Sequence, residues 1–255
     1  MFKILGASII AASLLAGCGG GGDTPAKPAA KTLSLSFYGL PLQGSQTTAH
    51  AAVMRAASSD TTASAPVASS DASTTTVQSL QDALAAQGVT ANVTAQVMDG
   101  TTLHAIVMGE NNGLPPTPDQ FGKDPSEWLI VNFQLDDMVT PWTDTSQQAA
   151  VSQFANDLAV FVNRAHVSGK QVFVVAPIDP CAGSPTSDIV YGLDSAITQA
   201  GNSALMYTVG GLSNTLATPD HMGADCRTPD TYLLNLRTKA VAADIASRYK
   251  GATGQ

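Results

Sequence analysis

The sequence predicts an α/β protein built on a parallel sheet with helices on both faces. Two observations carry this. Strand-like runs alternate with helical patterns from residue 32 to the end of the chain. The runs "EWLIVNFQ" and "KQVFVVAPI" are apolar throughout, as strands are when a sheet is covered on both sides. No internal repeat interrupts the alternation.

The elements follow in order. "KTLSLSFYGL" alternates and is β-rich, which predicts a first strand near 32–38. "SQTTAHAAVMRAAS" reads as a short helix with Ser45 as its N-cap, and His50 within it carries no further signal. "SSDTTASAPVASSDASTTT" has no period, and we read about 56–76 as a flexible surface insertion. Order returns at "VQSLQDALAAQG", where Val77, Leu80, Leu84 and Ala85 recur at helical spacing and Gly88 suits the C-terminal cap. "VTANVTAQV" is the second strand, and "DGTTLHAIVMGENNGL" a turn into a short helix. "EWLIVNFQ" is the third strand. "SQQAAVSQFANDLAVFVNRAHVSG" is the longest helix, with a stripe through Val151, Phe154, Leu158, Phe161 and Val162. "KQVFVVAPI" is the fourth strand, "SDIVYGLDSAITQAG" a helix, and "SALMYTV" the fifth strand. "TYLLNLRTKAVAADIASRYK" closes the chain as a helix with Leu234, Val241 and Ile245 inward.

The start of the chain reads as an address. Lys3 and the apolar run "ILGASIIAASLLAG" have the length of a signal peptide, too short to span a bilayer comfortably. The run ends in Leu15-Ala16-Gly17-Cys18, which resembles a bacterial lipobox. That resemblance implies a signal over 1–17, a mature chain acylated on Cys18, and a membrane-lipid partner. "GGGGDTPAKPAAK" cannot build a core, so 18–31 is a tether and 32–255 a single domain. Gly19 after the cysteine points to the outer membrane of a Gram-negative cell, on its periplasmic face or its surface. The formal charge is −8, with no Lys/Arg cluster able to track phosphates, which argues against nucleic-acid binding. A monomer is expected.

Lipid accounts for Cys18 of the three cysteines, leaving Cys181 and Cys226 as an even pair in an exported chain. A Cys181–Cys226 disulfide is expected. Two cysteines and scattered histidines are too few for a zinc site, and no cofactor is implied.

Ligands of such sheets gather at the carboxyl ends of the strands. The segments there are "FYGLPLQG", "VMDGTTL", "VNFQLDDM" and "APIDPC", with "DCRTPD" ahead of the last helix. Their order and spacing resemble the SGNH (GDSL-like) hydrolase superfamily over roughly 32–250. The resemblance implies a three-layer α/β/α sandwich on a flavodoxin-like, five-stranded parallel sheet. It also implies esterase chemistry by a Ser–His–Asp triad. Gly100 falls on the second-block glycine, whose N–H serves the oxyanion hole, and Asp137 on the last residue of the third block.

At the chemistry the sequence departs from that pattern. The Gly-Asp-Ser block falls on Gly39-Leu40-Pro41, which puts Pro41 at the nucleophile position. The oxyanion-binding Asn falls on Asp136, whose charge opposes a developing oxyanion. The Asp-x-x-His-Pro block falls on Asp225 to Pro229, which leaves Asp225 as the acid and puts Thr228 at the base position. Loss of nucleophile or base each costs on the order of a millionfold in turnover. The expectation is a lipid-anchored envelope protein whose esterase site is degenerate, acting as a binding or accessory module on glycans or acyl groups. The rival is an active esterase or acyl hydrolase with Ser45 as displaced nucleophile, His221 as base and Asp225 as acid. A third reading is a structural surface lipoprotein with no small-molecule site. His104 is a further candidate base, and His166 at a helix end is structural. Asp136, Asp225 and Asp99 together read as a possible acidic cleft for a cation. The aromatics Tyr38, Trp128, Phe133 and Trp142 read as core by default.

Overall fold

The computed structural model describes residues 31–43, 70–98, 100–110, 114–136, 140–181, 187–213 and 220–254. In chain order these form β1 (Leu33–Gly39), α1 (Ser70–Ala86), β2 (Ala91–Val97) and α2 (Leu103–Met108). They continue with β3 (Trp128–Asn132), α3 (Thr145–Val167), β4 (Gln171–Val175), α4 (Ser187–Gly201), β5 (Tyr207–Val209) and α5 (Thr231–Thr253). All neighbouring strands pair in parallel, in the order β2-β1-β3-β4-β5.

Alternation along each strand divides the core between the two faces. Tyr38, Leu129, Val131, Val172 and Val174 meet α2, α3 and α4. Leu33, Leu35, Phe37, Ile130, Phe173 and Val175 meet α1 and α5. Burying both faces explains why β3 is inaccessible along its whole length and reads as an unbroken apolar run. Leu234, Val241 and Ile245 are buried, as their spacing predicts. Tyr38, Trp128 and Phe133 are core residues, and Trp142 packs on the core's margin.

Two elements differ from the sequence reading. The helix before β2 starts at Ser70, so residues 70–76 of the expected insertion are helical. These Ser and Thr residues show no apolar period. What holds the segment is tertiary: the Thr76 side chain is buried, and its hydroxyl accepts the Leu42 N–H at 3.1 Å. The fifth strand is confined to Tyr207–Val209 at the sheet edge. The expected helix around Ser45 lies outside the described residues, as do the signal, Cys18 and the tether up to residue 30.

A third, small cluster sits at the carboxyl end of the sheet. Ile178, Cys181, Met222, Leu233 and Leu234 pack around the Cys181–Cys226 disulfide. This bond fastens the segment after β4 to the segment ahead of α5, across 45 residues of sequence.

Candidate active site

The site is framed by four segments at the carboxyl ends of the strands. The first follows β1. Gly39 has φ +99°, and a Cβ there would stand well inside van der Waals contact distance of the Asn132 carbonyl oxygen. Only glycine meets both conditions. The close approach lets two hydrogen bonds form across the ends of β1 and β3. Leu40 N donates to Asn132 O at 2.8 Å, and Asn132 Nδ2 donates to Leu40 O at 2.7 Å. Beyond half-buried Pro41 the loop is tied to α5. Leu42 O accepts from Arg237 Nη2 at 2.7 Å, and Gln43 Nε2 donates to Asn235 Oδ1 at 3.1 Å. The loop after β1 is thus joined to α5.

Gly100, after β2, has φ +91°, and among the described residues nothing lies within 4 Å of where its Cβ would stand. Thr102 caps α2 by accepting the Ala105 N–H at 3.2 Å. After β3, Gln134 and Leu135 are buried and Asp136 is exposed. The Gln134 Oε1 atom is buried and accepts no hydrogen bond from the described residues. Asp99 and Asp137 lie outside the described residues.

The fourth segment, 221–230, folds back on itself as a narrow hairpin. Met222 and Pro229 form an antiparallel bridge, Gly223 N donates to Thr228 O, and Asp230 N donates to His221 O. Cys226 sits at its tip with φ +52°, an uncommon conformation for a non-glycine residue. Its carbonyl accepts the Cys181 N–H at 3.2 Å beside the disulfide.

Within this hairpin Asp225 serves the turn. Oδ1 accepts the N–H groups of Arg227 and Thr228, both at 3.0 Å, and Oδ2 accepts the Thr228 hydroxyl at 2.7 Å. The Arg227 N–H and the Thr228 hydroxyl hold its carboxyl below the usual carboxylate range. His221 pairs with a different acid from the Asp225 of the rival triad. Its Nδ1 lies 2.9 Å from Asp230 Oδ2, while Asp230 Oδ1 caps α5 by accepting the Leu233 N–H at 2.9 Å. The His221 contact and the Leu233 N–H keep the Asp230 carboxyl low. The His221 ring also stacks on Tyr232, with centroids 4.3 Å apart and planes 23° from parallel.

Pro41, Gly100, Asp136 and Thr228 therefore each follow a strand or precede α5 as their spacing predicts. Ser45 lies outside the described residues. His104 pairs with Asp157, Nδ1 to Oδ2 at 3.0 Å, on the face joining α2 and α3. His166 lies in the last turn of α3. Among the described residues no three His, Cys, Asp or Glu side chains converge as a metal site.

Sequence reasoning missed Asp230, Tyr232 and Arg237. Asp230 did carry a signal, an N-cap residue directly ahead of the last helical period. Arg237 lies on the same inward stripe as Leu234 and Val241, where a charged residue is itself conspicuous.

No family model matches the chain, and no curated protein does. Solved structures do. A putative SGNH hydrolase from Slackia heliotrinireducens is 16% identical with a TM-score of 0.51, covering 84% of this chain and 100% of that one. An acetyl xylan esterase from Geobacillus stearothermophilus is 13% identical with a TM-score of 0.53, covering 85% and 95%. An alpha/beta hydrolase enzyme from the metagenome of Lake Arreo, Spain, is 15% identical with a TM-score of 0.51, covering 88% and 96%. At these identities the likeness concerns architecture. Together with the 2-1-3-4-5 parallel sheet, it shows that this chain has the SGNH-hydrolase fold.

Proposed function

We propose that this protein is a lipid-anchored cell-envelope module that binds its ligand at the carboxyl edge of the sheet without hydrolysing it. Cys18 carries the anchor, and the outer membrane holds it. The observation that carries the non-hydrolytic reading is the state of Asp225. The one triad member that the resemblance retains accepts the Thr228 hydroxyl and two backbone N–H groups of its own turn. Thr228 has no basic nitrogen, and Pro41 has no hydroxyl. A triad lacking both nucleophile and base retains only what oxyanion binding supplies, and Asp136 places a negative charge where a donor is needed. Gly39, Gly100 and the disulfide-braced hairpin support the idea of an edge kept for shape.

The purified protein, assayed with short-chain p-nitrophenyl esters, should show no turnover above background. Hydrolysis that a serine-reactive phosphonate abolishes would overturn the reading. Cys18→Ser should release the protein from the membrane fraction, and retention there would remove the anchor from the proposal.

A second reading is favoured by one contact. His221 Nδ1 faces a carboxylate, as a general base requires, and its acid partner would be Asp230. An esterase using Ser45 and His221 predicts that Ser45→Ala and His221→Gln each abolish ester turnover. Unchanged turnover in both variants removes it.

A further inference from the structure

We infer that the ligand of this edge is a neutral saccharide, stacked on the open face of Tyr232. The inference rests on the non-hydrolytic reading above and gives its ligand a chemical class.

Tyr232 is the second residue of α5 and is 49% exposed, unusual for so large a ring. One of its faces is covered by His221. Its exposure therefore belongs to the opposite face and the rim.

The ring is held in place before any ligand arrives. His221 backs it, Asp230 holds His221 through Nδ1, and the same carboxylate caps α5 through the Leu233 N–H. The hairpin bearing His221 is closed by the Met222–Pro229 bridge and fastened through Cys226 to Cys181. Binding to a ring fixed in this way avoids most of the entropy cost of ordering a surface side chain.

The surroundings select the chemistry. Asn235 lies three residues along α5 from Tyr232, on the same helix face. Its Oδ1 accepts from Gln43 Nε2, two residues past Pro41. Asn235 Nδ2 is a donor and Gln43 Oε1 an acceptor, on an amide pair about one helical turn along from Tyr232. A fixed aromatic face with amides about one turn away complements a pyranose, whose C–H face is apolar and whose hydroxyls both donate and accept. An acyl chain would need an apolar trough, whereas Asn235, Gln43 and Asp230 are polar. An anionic ligand would meet the carboxylates of Asp225 and Asp230.

The test is a titration of the purified protein with a panel of neutral oligosaccharides, including xylotriose and chitotriose, against octanoate and inorganic phosphate. Aromatic carbon–proton NMR and calorimetry provide the readout. At least one saccharide should shift the Tyr232 and His221 ring resonances, and octanoate and phosphate should not. Tyr232→Ala should weaken binding roughly tenfold or more with the thermal midpoint unchanged, because the ring is outside the core. Tyr232→Phe should bind within a few-fold of the parent, since the face and not the hydroxyl makes the stack.

Three results overturn the proposal: no neutral saccharide shifts these rings, octanoate or phosphate alone does, or Tyr232→Ala binds like the parent. Phosphonate-sensitive ester hydrolysis would defeat the non-hydrolytic reading instead and leave the binding data standing. A protein that neither hydrolyses esters nor binds the panel keeps the first reading and loses this one.

Discussion

Replacing Arg237 by methionine should leave the protein as stable as the parent or slightly more so, although the change removes a hydrogen bond to the loop after β1. The side chain is fully buried, and Nη2 donates to the Leu42 carbonyl. Nε and Nη1 have no partner among the described residues. Burial pushes the guanidinium down to about 10. At about 1.4 kcal/mol per unit, that shift disfavours the charged form in the fold by roughly 3 kcal/mol. Losing the charged hydrogen bond costs about 1.5–3 kcal/mol. The two largely cancel, leaving a net change between zero and about 1.5 kcal/mol in favour of methionine, which fills similar volume. Arg237→Ala adds a cavity and should instead lose about 2 kcal/mol or more.

Urea unfolding followed by circular dichroism compares the midpoints. Because the folded pKa lies below the unfolded value, the unfolded chain binds more protons above pH 10. The parent should therefore gain stability relative to Arg237→Met as pH rises through 10. A loss of more than about 2 kcal/mol in Arg237→Met at neutral pH would refute the reasoning. It would mean that tethering the loop outweighs the desolvation of the guanidinium.

Other positions give sharper losses. Replacing both Cys181 and Cys226 by alanine opens a 45-residue closure and should cost up to about 4 kcal/mol, read as a lower thermal midpoint matched by the reduced parent. Gly39→Ala drives a Cβ into Asn132 O at positive φ and should cost about 2–3 kcal/mol. An equal midpoint there would show that the β1–β3 clamp yields freely. Burial and the neighbouring Asp179 raise Asp194 to about 6. A raised acid stabilises the fold below the unfolded value near 4, and that contribution is lost as pH rises through 6. Asp194 is part-exposed, so the parent should lose about 1 kcal/mol between pH 4 and 7 relative to Asp194→Asn. A difference that does not vary with pH would contradict this.

The architecture was legible because each strand and helix buries its own face against a sheet covered on both sides. "WLIVN" had to be a central strand, and the stripe through Leu234, Val241 and Ile245 had to face inward, whatever lay across from them. Cysteine arithmetic reached Cys181–Cys226 for a similar reason: an even pair leaves one choice. The family resemblance singled out Asp225 as the expected acid, but its hydrogen-bond partners could not be read from the sequence. A carboxylate accepts from whatever donors the chain returns to it, and the turn at Cys226 returned Thr228. The same turn brought Pro229 beside Met222 and carried His221 to Asp230, nine residues on. Thr76 is another such case, helical because a hydroxyl in a run without apolar period meets Leu42 N. Periodicity reports which side of an element is dry. Which polar atom meets which depends on where the backbone reverses, and only the tertiary structure decided that.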